Sequence, residues 1–272
     1  MSTLALPYSH VDAFADRPFA GNQAAVMPLD AWLPDSVLQA IGEENNFAET
    51  AFVVRDDTGA ADWELRWFTP ACEIRLCGHA TLASGHVLLG RYGGDRVTFR
   101  TRQAGVLEVR RMASGGLELA LPAIPTERGE WPEAVALLGA EPHEIWRSPD
   151  CYNVFLFESE EQVRGLTPDL RGLGRLGDHQ FICTAPGRDT DVVSRVFVPG
   201  AGVDEDSVTG SAHAVLTPFW AARLDRDGFT AHQASARGGD LACRLAQGSG
   251  GDKAWLGGQC VTVVEGTFYA PA

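Results

Sequence analysis

The chain has no basic run, and that absence removes one large class of functions. Its 22 Lys and Arg stand against 36 Asp and Glu, a formal net charge of −14 over 272 residues. Duplex binding needs clustered cations to displace counterions, so no nucleic-acid partner is expected. No G-x-x-x-x-G-K phosphate loop occurs, and no stretch reads as a glycine-rich dinucleotide turn. A nucleotide or nicotinamide enzyme is therefore not expected. The seven histidines show neither H-x-x-x-H nor H-E-x-x-H spacing, which argues against a metal hydrolase. The six cysteines form no C-x-x-C pair, so a zinc or redox dithiol is not expected. No run approaches 18 apolar residues, and no charged segment followed by an apolar stretch opens the chain. These features predict a cytoplasmic protein with reduced thiols and no membrane contact.

What is present is an ordinary globular balance, 45% hydrophobic and 21% charged residues, which can bury a core without staples. With 30 glycines and 15 prolines, many turns between short strands are predicted. Alternation and apolar runs predict strands at 8–14, 24–29, 50–55, 63–68, 96–100, 106–112, 117–121, 151–158, 181–185 and 192–198. Helical spacing predicts a short helix over 34–42, with Val37, Leu38 and Ile41 on one face. It also predicts a buried helix over 78–89, a short one over 131–138, and a long apolar helix over 210–224 that Pro218 interrupts or bends. The tail reads as short strands and Gly-rich turns. Three prolines mark 122–132 as the linker. This gives two domains, 1–122 and 123–272, with the last strand free to return to the first.

An internal echo supports the division. Arg66-Trp67-Phe68-Thr69-Pro70 leads to Cys77-Gly78-His79-Ala80, and Arg195-Val196-Phe197-Val198-Pro199 leads to Thr209-Gly210-Ser211-Ala212. Both read as strand, acidic loop, small turn with Gly, then apolar helix, and the second connection is three residues longer. A repeat this long indicates duplicated domains, because solenoids have short periods. Each turn places orphan N–H groups and the positive end of a helix dipole at one spot, which binds anions. Two such starts facing one cleft would grip a carboxylate, or the enolate-like charge left when a proton leaves the adjacent carbon.

Gly21-Asn22, Asn46-Phe47-Ala48-Glu49-Thr50, Phe68-Thr69-Pro70 with Cys77-Gly78-His79-Ala80-Thr81, and Glu205-Asp206-Ser207-Val208-Thr209-Gly210-Ser211-Ala212 follow one another along the chain. In this order they resemble the PhzF-like family over nearly the whole length. The resemblance implies an α+β fold of the diaminopimelate epimerase-like type. That fold has two pseudo-symmetric halves, each a curled, mostly antiparallel, barrel-like sheet around a central helix. The resemblance also implies a homodimer, no organic cofactor and no metal. The implied activity is a cofactor-independent isomerase that moves a proton at carbon near the carboxylate of a small anionic acid, in the interdomain cleft. Matched residue by residue, it makes Glu49 the proton-shuttling carboxylate, with His79, Asp206 and Ser211 as catalytic partners. Asn22, Gly78, Ala80, Gly210 and Ala212 would line the substrate.

The residues themselves leave alternatives open. Glu49 lies among Phe47, Ala48, Ala51 and Phe52, and burial there would favour the neutral acid that a proton shuttle needs. It also reads as an exposed strand-end glutamate. His79 at a helix start would have its pKa lowered by the dipole, or would cap the helix or pack in the core. Ser211 and Asp206 would serve equally as caps. Arg237, beside Gly238 and Gly239, reads as a bidentate carboxylate clamp or a solvated turn residue. His213 reads as cleft-lining or core.

Two places depart from the family pattern. Gln23 stands where many relatives carry Pro. Cys77 stands where the proline racemase and diaminopimelate epimerase branches place the first of two cysteine bases. The second place is Thr209, whose hydroxyl stays protonated, so two-base stereoinversion is not expected. The competing readings are a dehydratase or epimerase working through Cys77 alone, and a catalytically silent small-molecule-binding protein.

Overall fold

Strands form where the apolar alternation predicts them, and the computed structural model describes residues 3–248 and 251–271. The first unit comprises Met1–Ala120 and Gly257–Ala272. It contains β1 (Thr3–Ala13), β2 (Asn22–Pro28), α1 (Asp35–Asn45), β3 (Glu49–Arg55), β4 (Trp63–Phe68), β5 (Glu73–Ile74), α2 (Gly78–Tyr92), β6 (Arg96–Thr101) and β7 (Val106–Arg111). β8 (Leu117–Pro122) leads into the second unit, Leu121–Leu256. There follow β9 (Glu127–Arg128), α3 (Pro132–Leu138), β10 (Glu144–Arg147), β11 (Tyr152–Leu156), α4 (Glu160–Arg164), α5 (Leu170–Gly174), β12 (Gln180–Pro186), β13 (Val192–Val198), β14 (Val203–Asp206), α6 (Gly210–Leu224), β15 (Gly228–Gln233) and β16 (Gly239–Ala246). β17 (Lys253–Gly258) returns to the first unit. There β18 (Cys260–Pro271) runs antiparallel to β1, from Thr3↔Pro271 to Ala13↔Cys260.

One strand order recurs in both units. In the first, β1 and β2 are antiparallel, β2 and β3 parallel, and β3, β4 and β5 antiparallel in turn. After α2, β6 lies parallel to β4. In the second, β10 and β11 are antiparallel, β11 and β12 parallel, and β12, β13 and β14 antiparallel in turn. After α6, β15 lies parallel to β13.

The duplication reaches the side chains. Arg66 grips Glu73 with two bonds of 2.8 and 2.7 Å, its guanidinium 5.0 Å from the Phe68 ring centre. Arg195 grips Glu205 with bonds of 2.8 and 2.9 Å, its guanidinium 4.8 Å from Phe197. Asp62 Oδ2 accepts from the amide and hydroxyl of Thr98 at 2.8 and 2.7 Å, and Asp191 Oδ2 accepts from those of Thr230 at 2.8 and 2.9 Å. Bidentate carboxylate pairs are directional as well as strong, so each one pins its hairpin and the helix that follows.

One expectation is revised, and two further points emerge. Pro218 does not interrupt α6, which runs unbroken from Gly210 to Leu224. Proline removes the N–H that would bond the carbonyl four residues back. The amide of Ile124 supplies it instead, 3.2 Å from the Ala214 oxygen. Gly172-x-Gly174-x-x-Gly177 does spell G-x-G-x-x-G. Its first two glycines lie inside five-residue α5, which follows α4 rather than a strand, so the dinucleotide-turn context is missing. β10, α4 and α5 were not predicted, because four or five residues carry too little periodicity. α4 is instead set by a capping box between Ser159 and Gln162. No helix among the described residues is long and apolar enough to cross a membrane.

Candidate active site

In the first unit, strand starts and a helix start converge. Asn46 ends α1 in the left-handed conformation (φ 50°), which Asn tolerates, and turns the chain toward Glu49 at the head of β3. Glu49 pairs in parallel register with Ala24 of β2, so Asn22 and Gln23 lie close by. Cys77 precedes α2 in extended conformation and makes no side-chain cap. His79 follows as the second helical residue.

His79 is the hub. Its Nε2 lies 2.9 Å from Glu49 Oε2 and 3.2 Å from the Gln23 carbonyl. Its Nδ1 lies 3.1 Å from the Asn22 amide nitrogen and 3.6 Å from the Cys77 sulfur. Asn22 can only donate through that nitrogen, so in the neutral ring the proton sits on Nε2. The aligned acceptor of that N–H is the Gln23 carbonyl. Glu49 Oε2, though near, is buried with no aligned donor.

The electrostatics correct one expectation. The helix dipole was expected to lower the His79 pKa. Burial does oppose the charged ring, but the Cys77 sulfur and the Glu49 carboxylate outweigh it and hold His79 well above the ordinary imidazole range. Burial, reinforced by Glu49, pushes the Cys77 thiol up to about 11. Burial therefore favours the neutral Cys77 thiol, and Glu49 Oε2 stands beside His79 Nε2. Glu49, Cys77 and His79 offer ligand atoms within 4.8 Å of one another.

In the second unit, α6 starts the same way. Thr209 is extended and uncapped by its side chain. Its amide donates to Gln233 Oε1 at 2.8 Å and its hydroxyl to Asp206 Oδ2 at 2.7 Å. Ser211 is the second helical residue rather than the cap, and its oxygen accepts from Gln180 Nε2 at 3.0 Å. The Arg237 turn is tied to this region, because Ser235 donates to the Ser207 carbonyl and accepts from the Gly238 amide. His213 is fully buried, its Nδ1 2.8 Å from the Thr209 carbonyl. Burial pushes its pKa down to about 4, so it is a neutral core ring.

Sequence reading missed Gln180, and strand register identifies it. Thr50 faces Phe68 across β3–β4, and Phe181 faces Phe197 across β12–β13. Phe68 and Phe197 hold the same place in the repeat, so the preceding residues, Glu49 and Gln180, correspond. Gln180 Oε1, like Glu49 Oε2, is buried without a hydrogen-bond partner. Extending the R-x-F-x-P echo back by one strand would have found it. His10 and Gln233 carry no such signal.

The model of the phenazine biosynthesis-like protein family matches residues 11–266. The chain belongs to that family. A Pseudomonas aeruginosa relative named an uncharacterized isomerase is 48% identical over 96% of this chain and 97% of its own. The human phenazine biosynthesis-like domain-containing protein is 35% identical over 97% of this chain and 99% of its own. The crystal structure of an Enterococcus faecalis PhzF family protein, 39% identical, superposes with a TM-score of 0.89 over 98% of this chain and all of that one. An Agrobacterium vitis hydroxyproline epimerase shares the fold at 12% identity, with a TM-score of 0.63 over 97% of this chain and 92% of its own. The fold is thus α+β of the diaminopimelate epimerase-like type, and by class this phenazine biosynthesis-like protein is an isomerase.

Proposed function

We propose that this family member transfers a proton at a carbon near the carboxylate of a small acid, with Glu49 as the acid–base group and no organic cofactor. The observation that carries the reading is Glu49 Oε2, a buried carboxylate oxygen beside an imidazole yet with no aligned donor. Buried polar atoms without a partner are uncommon, and a proton-shuttling carboxylate accounts for this one. Glu49 would take the proton from the substrate and return it at the new position. His79, held charged or ready to charge, would steady the carboxylate in between. The N–H groups of Gly78 and Ala80 at the α2 start would stabilise the enolate-like charge. Asn22 would hold the His79 ring. Taken by itself, the α6 start would bind a carboxylate through Gly210, Ser211 and Ala212, with Arg237 on the adjoining turn. Asp206 would act through Thr209, by ordering that turn.

The competing dehydration through Cys77 needs a thiolate, which a thiol pushed up to about 11 does not supply near neutral pH. The test is proton NMR in D2O with cyclic dienoic acids, imino acids, amino acids and hydroxy acids, comparing wild type, Glu49→Gln and Cys77→Ala. A C–H signal that exchanges in wild type and Cys77→Ala but not in Glu49→Gln supports the reading. Full exchange in Glu49→Gln sinks it.

A further inference from the structure

The Glu49–His79 pair rests on a second network that proton transfer itself does not use. His10 lies on β1, opposite Ala25 of β2. Its Nε2 is 3.2 Å from the side-chain amide nitrogen of Gln23 and 3.8 Å from Asp12 Oδ1. Its ring sits 4.3 Å from that of Phe47 at an interplanar angle of 33°. Gln23 and Phe47 flank the pair: the Gln23 carbonyl is the 3.2 Å acceptor of His79 Nε2, and Phe47 lies two residues before Glu49. One imidazole therefore ties the strand segment that carries the acceptor to the turn that delivers the carboxylate.

The direction of the Nε2–H decides how basic Glu49 is. A hydrogen bond from the ring to the carboxylate would stabilise its charged form and weaken it as a base. With the N–H on a neutral carbonyl, Oε2 stays open. The Gln23 backbone is held in β2 opposite Asp12 of β1, and the side-chain tie from Gln23 to His10 adds a second restraint beside that carbonyl.

We propose that His10 and Gln23 are positioning residues that keep the His79 Nε2–H on the Gln23 carbonyl, and so leave the Glu49 carboxylate free for a substrate proton. The functional half of this inference rests on Glu49 being the base. The structural half does not.

The experiment is NMR of imidazole nitrogens and protons in the ligand-free protein, titrated with pH, for wild type, His10→Phe and Gln23→Ala. His10→Phe keeps a ring against Phe47 and removes the nitrogen. Gln23→Ala keeps the carbonyl and removes the amide. In both variants the Nε2–H should turn to Glu49, and the His79 midpoint should rise by about one pH unit, the difference between a neutral and a charged acceptor. If one variant does not fold, the other carries the test. An unmoved His79 signal in a folded variant overturns the proposal, as does lost thermal stability without a shift. No substrate is involved, so this failure is separable from that of the proton-transfer reading. Only wild-type exchange that survives Glu49→Gln sinks the latter.

Discussion

The two units open their buried helices with the same backbone and with different chemistry. α2 and α6 each span 15 residues, each follows an extended residue that makes no side-chain cap, and each begins with Gly. At the residue before the helix stand Cys77 and Thr209. At the second helical residue stand His79 and Ser211. At the head of the strand alongside stand Glu49 and Gln180. Even the i→i−4 side-chain bond recurs, with Thr81 Oγ1 2.5 Å from the Cys77 carbonyl and His213 Nδ1 2.8 Å from that of Thr209. One copy holds a carboxylate, an imidazole and a thiol. The other holds an amide and two hydroxyls, none of which exchanges a proton near neutral pH. The duplicated frame sets geometry, and the matched side chains differ in chemistry, so the proposed acid–base group stands in one copy only.

The comparison breaks most easily at the matched strand heads. Glu49→Gln, which gives the first unit the group of the second, should slow exchange by about 10²–10⁴-fold. Gln180→Leu should change it by about tenfold or less, read by the same D2O assay. Equal losses would refute the division of labour. The thiols come next. Cys77, buried with its pKa near 11, has about one thiolate per thousand molecules at pH 8. Iodoacetamide should therefore label exposed Cys72 about a hundredfold faster than Cys77, as followed by peptide mass spectrometry.

A smaller effect should separate the two arginine clamps. Arg66 is 3% exposed and Arg195 is 14% exposed. Removing one partner of a buried pair costs about 3 kcal/mol or more, so Arg66→Gln should lose about 3 kcal/mol in urea unfolding. Arg195→Gln should lose less, about 1–2 kcal/mol. The smallest effect is the pH dependence of stability. The folded pKa of His79 is raised, so its contribution is fully present below the unfolded imidazole value and fades as pH rises through the folded one. The stability difference between wild type and His79→Ser should shrink from pH 6 to pH 9 in urea titrations.

Much of the frame was legible, because alternation and the R-x-F-x-P echo are local. β4 and α6 have the predicted bounds, and the matched turns lie at the two helix starts. What sequence could not carry was pairing across distance. The residue-by-residue register of β18 against β1 joins strands far apart in sequence, and that Glu49 meets His79 depends on how the head of β3 is placed beside the start of α2. The His79 charge was misjudged for the same reason. A dipole can be read from a helix start, but a neighbouring carboxylate 2.9 Å away cannot. His10 was invisible because its role comes from ring stacking and one amide contact, neither of which leaves a sequence spacing.

The bond from Ile124 to the Ala214 carbonyl has a kinetic consequence. Most helices complete their own ladders within microseconds of nucleation, but α6 contains a proline and cannot. Its Ala214 carbonyl finds a donor only in a segment from the start of the same unit, through the Ile124 amide. Closing so long a loop costs entropy before any contact is gained. The middle of α6, one turn beyond Ser211, is therefore fully bonded only with the entering chain docked, which couples order there to the segment just past β8.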